Sequence, residues 1–300
     1  MDSSDIEHVP VLATTLAEQI SLPQDAVMVD ATVGQGGHSL LFGRTLGPEG
    51  MVIGLDVDVK SIQRAQGVLN ELACKVVLKQ SNFSEIRQQV LEQHKNKVDF
   101  ILADLGVSSS QLADIERGLS FQENMPLDMR LDDRLTLTAA DIVNRYDEKS
   151  LADLIYKYSD ERASRRIARY IVEARKAQPI RSTAQLASVV CKALSKKTKG
   201  YTKIHPATRT FQALRIAVNH ELENLEKLLN SAADLLKTEG LIAVISFHSL
   251  EDRLIKNNFK ENAKNHIYRI ITKKPILPSG SERLANRRAR SAKLRIAQKI

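Results

Sequence analysis

Residues Val27–Ser39 read VMVDATVGQGGHS. The apolar run Val27-Met28-Val29 ends on Asp30, a glycine-rich turn follows, and His38-Ser39 open a helical pattern. Strand, glycine-rich turn and helix is how many α/β folds bring backbone up to a nucleotide, because glycine carries no Cβ to stand between chain and ligand. A dinucleotide fingerprint asks for G-x-G-x-x-G. Here Gly34-Gln35-Gly36-Gly37-His38-Ser39 has serine at the third glycine position. Asp30 also stands four residues before Gly34. A carboxylate there is a poor neighbour for a pyrophosphate and a good one for a ligand carrying an ammonium and a sulfonium.

The rest of the chain extends this unit. Ala26–Asp30, Met51–Asp56, Lys75–Lys79, Val98–Ala103, Leu241–Phe247, His266–Thr272 and Lys293–Gln298 read as strands. Helix-length segments such as Asp58–Leu72 and Phe83–His94 lie between the first four. Alternation of this kind predicts βαβ units in a parallel sheet. The last two strands have no long helix between them, which predicts antiparallel pairing at the sheet edge. The fold class is therefore α/β, with seven strands. The gap between the fourth and fifth strands exceeds the minimum crossover of about 10–12 residues. Part of it reads as one long helix near Thr210–Lys237, with Phe211, Leu214, Val218, Leu222, Leu225, Leu229, Ala232 and Leu236 at helical spacing and Gly240 as a stop. Residues 111–204 read as an inserted all-helical domain. Residues 1–110 and 205–300 then form one discontinuous α/β domain.

Two further acids end strands. Asp56 lies 20 residues past Gly36, where a carboxylate accepts ribose hydroxyls. NAD and S-adenosylmethionine both carry a ribose, so Asp56 does not separate them. Phe83 follows the third strand, where an adenine can stack. Asp104 opens Asp104-Leu105-Gly106-Val107-Ser108-Ser109 at the switch-point crevice of an open sheet. The spacing D-x-T-x-G-x-G over Asp30–Gly36 resembles the first motif of S-adenosylmethionine-dependent methyltransferases, with Thr32 in place of a frequent glycine.

The chain has 300 residues, 43% of them hydrophobic, and a formal net charge of +8, which suits a polyanionic partner. Three basic clusters stand out: Arg162, Arg165, Arg166, Arg169, Arg175 and Lys176 in the insert; Lys192, Lys196, Lys197, Lys199 and Lys203 after it; and Arg283, Arg287, Arg288, Arg290, Lys293, Arg295 and Lys299 in the tail. They point to nucleic acid. The two cysteines, Cys74 and Cys191, form no C-x-x-C pair, so neither a zinc site nor a disulfide framework is expected, and a reducing, cytoplasmic setting is. The acidic start Met1–Glu7 reads as neither signal nor transit peptide, and no apolar run is long enough to span a membrane.

Several segments together closely resemble the bacterial 16S ribosomal RNA (cytosine N4)-methyltransferases: Asp30–Ser39 (DATVGQGGHS), Asp104–Gln111 (DLGVSSSQ), Glu116–Phe121 (ERGLSF), Pro126–Arg130 (PLDMR), His205–Ile216 (HPATRTFQALRI), Ser246–Arg253 (SFHSLEDR) and Arg288–Arg295 (RARSAKLR). The tail departs slightly, with Asn286-Arg287-Arg288 where the family often has Asn-Pro-Arg. The resemblance implies a Rossmann-like methyltransferase sheet with an inserted helical domain for RNA recognition. It implies S-adenosyl-L-methionine as donor, and a cytidine in the decoding region of small-subunit rRNA, alone or in the subunit, as acceptor. Carried over by residue, it implies cofactor contacts at Gly36, Gly37, His38, Asp56, Phe83, Asp104 and Gln111. Asp104 and His248 are the catalytic candidates, and His205, Arg209 and Arg253 the substrate-side ones. No metal is called for, and a homodimer stays open.

Two other readings compete. An NAD-dependent oxidoreductase shares the glycine-rich turn and Asp56, but Asp30 and the glycine spacing count against it. A non-catalytic RNA-binding or assembly factor keeps the basic clusters and has no need of an intact cofactor loop.

Overall fold

The computed structural model describes residues 10–121, 123–195 and 205–300. Four of the basic residues singled out above, Lys196, Lys197, Lys199 and Lys203, and the acidic start Met1–Glu7 lie outside the described residues. Among the described residues, no helix is long and apolar enough to cross a membrane.

The chain divides into two compact units. One runs to Gly106 and resumes at Leu222; the other is Val107–Glu221. The first is built on seven strands: β1 (Val27–Asp30), β2 (Met51–Asp56), β3 (Lys75–Gln80), β4 (Val98–Asp104), β5 (Leu236–Ser246), β6 (Tyr268–Ile270) and β7 (Lys293–Lys299). They lie in the order β3-β2-β1-β4-β5-β7-β6. The first five pair in parallel, and β7 runs antiparallel between β5 and β6. The sequence predicted this antiparallel edge.

Alternation along each strand makes three layers. Val27, Val29, Ile101, Ala103, Ile242 and Val244 face one side, with Ile86 and Val90 of α4 (Ile86–Glu92), Leu225 and Leu229 of α11 (Glu221–Leu235), and Ile255 and Phe259 of α12 (Ser249–Lys264). Met28, Phe100, Leu102, Ala243 and Ile245 face the other, with Leu16 of α1 (Ala13–Gln19), Phe42 of α2 (Gly37–Gly43), and Ala289 and Ala292 of the tail. The helix α3 (Val59–Leu69) supplies Ala65 and Leu69 to a smaller cluster with Val33. The segment Ser279–Ala285 contains the short helix α13 (Gly280–Ala285), capped by Ser279.

The second unit is helical: α5 (Ser109–Ala113), α6 (Ala139–Arg145), α7 (Glu148–Ser159), α8 (Ser164–Ala177), α9 (Thr183–Leu194) and α10 (Thr208–Asn219). The expected single helix over Thr210–Lys237 is two helices, α10 and α11. His220 caps α10 in the left-handed region at φ 52°, and the chain turns there. Asn219 anchors the break: its amide donates to the carbonyls of Met129 and Arg215, and its Oδ1 accepts from Leu131 N–H. α10 packs on α7 within the second unit, so that unit extends past the predicted border at residue 204. Gly240 does not end a helix either. It lies inside β5, at a place where a Cβ would come within 2.9 Å of the Lys237 carbonyl.

Candidate functional site

The carboxyl ends of β1, β2 and β4 meet around the glycine-rich turn, at the point where the strand order reverses. Ala31 N–H donates to the Leu102 carbonyl and Val33 N–H to that of Leu55, both at 2.8 Å, so the turn grows out of the sheet. Gly34 has φ 51° and its N–H donates to Oδ2 of Asp56 at 2.9 Å. Gly36 takes φ 87° and caps α2, with Leu69 3.3 Å from where its Cβ would stand. An L side chain there meets both an unfavourable backbone region and the wall of α3.

Asp30 is 1% exposed. Its Oδ1 accepts from Thr32 N–H at 3.2 Å and its Oδ2 from the Ser39 hydroxyl at 2.7 Å. The acid that the sequence suggested as a ligand neighbour thus braces the turn internally. Burial pushes its carboxyl above the usual range, against the pull of His38 and these two hydrogen bonds.

Asp56 and Asp104 are half-buried carboxylates at the carboxyl ends of β2 and β4. Asp56 accepts from the N–H groups of Gly34 and Asp58, and burial nevertheless raises it to about 6. Asp104 is anchored through its backbone, its N–H donating to Thr32 Oγ1 at 2.7 Å. Its Oδ2 lies 3.9 Å from Nδ1 of His38. Its Oδ1 is buried and has no hydrogen-bond partner. Burial raises Asp104 to about 6, and the charges of His38 and Arg288 offset part of that. His38, 6% exposed, donates from Nε2 to the Val11 carbonyl at 2.9 Å, which fixes the ring with Nδ1 toward Asp104.

This set fits S-adenosyl-L-methionine. An orphaned carboxylate oxygen and a second desolvated carboxylate reward a ligand that brings hydroxyl or amine donors and positive charge. They oppose a pyrophosphate. Asp56 would take the ribose, and Asp104 and His38 would border the reacting end. Phe83, half-buried where a 3₁₀ turn follows β3, would line the adenine side. Gly37 abuts Pro10, 2.6 Å from where its Cβ would lie, so it lets Pro10 pack against the turn.

The remaining sequence-predicted residues have other neighbours. Gln111, in the second unit, closes a capping box with Ser108: its Oε1 accepts from Ser108 N–H at 2.9 Å. His248 caps α12, its Nδ1 accepting from Glu251 N–H at 3.3 Å, and its Nε2 lies 3.1 Å from Glu251 Oε1. His205 packs its ring on Phe121 at 4.6 Å, and its Nδ1 accepts from Ala207 N–H. Arg209 is largely exposed, 3.6 Å from Glu161. Arg253 is exposed on α12. In the tail cluster, Arg295 is 5% exposed and ion-paired with Asp252 at 2.7 Å, and Lys293 reaches the same carboxylate. Those two cations are spent inside the fold, which corrects the reading of the whole tail as a nucleic-acid surface; Arg283, Arg287 and Arg290 remain exposed.

Sequence reasoning missed three contributors: Thr32 as the anchor of Asp104, Ser39 as the partner of Asp30, and Arg288 as a charge acting on Asp104. Ser39 was legible in principle, since the residue nine positions past a strand-end acid lands one turn into the following helix.

The model of the MraW methylase family matches residues 5–300. A protein of Cyanothece sp. named ribosomal RNA small subunit methyltransferase H is 48% identical over 98% of this chain and 95% of its own length. Proteins of the same name are 45% identical in Acaryochloris marina, over 100% of this chain and 96% of their own, and 44% identical in Syntrophobacter fumaroxidans, over 98% and 97%. Given a match along nearly the whole chain at these identities, the chain belongs to the MraW methylase family, and its methyl donor is S-adenosyl-L-methionine.

Proposed function

We propose that this protein methylates the exocyclic N4 of a cytidine in the decoding region of small-subunit (16S) rRNA. The observation that carries the reading is the buried, unpartnered Oδ1 of Asp104 at the end of β4, beside the glycine-rich turn. The shared name of the relatives supports the class of RNA.

The bound cofactor supplies a sulfonium-activated methyl group. Asp104 accepts a hydrogen from the base amine and aims the nitrogen, so that attack is in line. With its carboxyl at about 6, Asp104 is mostly ionised at neutral pH and able to take up the proton the amine sheds. His38 holds Asp104 from the other side. His248, with Nδ1 engaged as a helix cap, positions the start of α12 rather than reaching the base. Arg253 in the first unit, and Arg209 and His205 in the second, are the proposed RNA contacts.

A thiol route to C5 of the pyrimidine lacks an activated thiolate. Cys74 is buried at the start of β3, the end of the strand away from the cleft, and burial raises its thiol. Cys191 lies in α9, with Sγ 3.9 Å from His205 Nε2, and burial raises it as well.

The test is transfer from radiolabelled donor to small subunits lacking the modification, to their deproteinised rRNA, to large subunits and to tRNA. Label in the small-subunit samples alone is the expected result. Label in tRNA or large subunits with none in small-subunit samples would overturn the substrate assignment.

A further inference from the structure

We infer that the ring of Phe247 is the surface on which the target pyrimidine stacks. The inference rests on methylation of an RNA base at this site and names the residue that would hold that base.

The chain after β4 runs Asp104-Leu105-Gly106-Val107, with no aromatic residue beside the proposed acceptor group. The neighbouring strand brings one. β4 and β5 pair in parallel with Asp104 opposite Ile245, and Leu105 N–H continues the ladder to the Ile245 carbonyl at 3.0 Å. Two residues further along each strand stand Gly106 and Phe247, side by side. A Cβ on Gly106 would fall 2.7 Å from Cε2 of Phe247 and 3.0 Å from its Cζ, so the ring lies directly against the glycine backbone. Glycine at 106 is what admits the ring to this position.

The backbone that carries the ring is also held in place. Glu251, 3% exposed, accepts from Phe247 N–H at 2.7 Å and from His248 N–H at 3.2 Å through the same Oε2. Phe247 packs against the apolar cluster that includes Ile245 and Leu294, and it is only half-buried. A half-buried aromatic ring beside Gly106, two residues past the orphaned carboxylate, is what a base taken out of its stack requires. The ring takes the π-face while Asp104 takes the amine edge. It accepts any pyrimidine face and leaves discrimination to Asp104.

Steady-state methylation of unmodified small subunits tests this, with cofactor affinity by calorimetry as the control for folding. Phe247→Trp and Phe247→Tyr keep an aromatic face, and kcat/KM should stay within about threefold of wild type. Phe247→Leu keeps apolar volume and loses the face, and kcat/KM should fall about 10- to 100-fold, the scale of one base–aromatic stack. Cofactor affinity should stay within about twofold throughout. Gly106→Ala, which displaces the ring without removing it, should fall with the leucine variant. It carries the test alone if Phe247→Leu fails to bind cofactor. Leucine at wild-type kcat/KM, or full activity in Gly106→Ala, would overturn the assignment and leave methylation of the base standing. No transfer by the wild-type protein would remove the reading of the site itself and this inference with it.

Discussion

Two carboxylates carry the account at the level of single residues. Asp56 is held by two backbone N–H groups and desolvated, so it is preorganised to accept hydroxyls. Asp56→Ala should cost about 2–4 kcal/mol of cofactor binding while leaving the protein folded, because the contact is charge-assisted and bidentate. Calorimetry on the folded variant checks this, and unchanged affinity would take Asp56 out of the site. The pH dependence follows from the same burial. Asp56 and Asp104 both sit at about 6, above the ordinary carboxylate value. A raised carboxyl binds more protons folded than unfolded between about 4 and 6, so these two groups lower the stability of the cofactor-free protein as pH rises through that window. A cationic, hydroxyl-bearing ligand selects their ionised forms. Cofactor affinity should therefore hold above pH 6 and weaken below it, by up to about tenfold per unit for each carboxylate that must ionise. Affinity that is flat from pH 5 to 7.5 would show that neither charge is read by the cofactor. Asp56 and Asp104 were legible in the sequence because a strand end followed by a turn is a local pattern. Arg288 was not, because nothing local ties a tail arginine to an acid 184 positions earlier.

Among the elements, α8 makes the clearest demand for a partner. Arg165, Arg166 and Arg169 lie on α8 at i, i+1 and i+4, with Arg162 in the turn just before it, while Ile167, Ala168 and Ile171 are buried. Arg162, Arg165 and Arg169 are exposed, and two guanidinium nitrogens of Arg166, Nε and Nη2, are buried without a partner. Such a stripe suits RNA phosphates. Binding of small-subunit rRNA should weaken steeply with salt, by a log–log slope of roughly −0.7 per phosphate contacted on single strands. Reversing Arg165, Arg166 and Arg169 to glutamate should flatten that slope; an unchanged slope would make α8 an ordinary solvated face. Element boundaries were readable where side chains dictate them and hidden where the backbone does. β2 runs Met51–Asp56, as its apolar pattern predicts. The break between α10 and α11 left no mark, because His220 adopts the left-handed region without glycine or proline nearby and the apolar stripe continues across it. The early start of β5 at Leu236 was hidden for a similar reason: Glu239 carries φ 67°, and the register shifts between Val98 and Phe100, so the strand begins irregularly.

Across the whole molecule, the parallel half of the sheet was legible from the alternation of apolar runs and helices, and the antiparallel edge from the missing helix before the last strand. The sheet order was not, since inserting β7 between β5 and β6 depends on packing over the complete tail. The chemistry follows from where that order places the reactive groups. Acids and glycines converge at the reversal point of the sheet, and no activated thiol stands at the carboxyl ends of β4 or β5. Cys74→Ala with Cys191→Ala should accordingly leave methyl transfer largely intact in rate assays, and loss of activity in the folded double variant would reinstate a thiol mechanism. The most direct measurement is the identity of the methylated atom. After transfer from a donor carrying a ¹³C-labelled methyl to unmodified small subunits, digestion of the rRNA and nucleoside mass spectrometry should find the label in N4-methylcytidine. Label in 5-methylcytidine or in a ribose-methylated nucleoside would contradict the account.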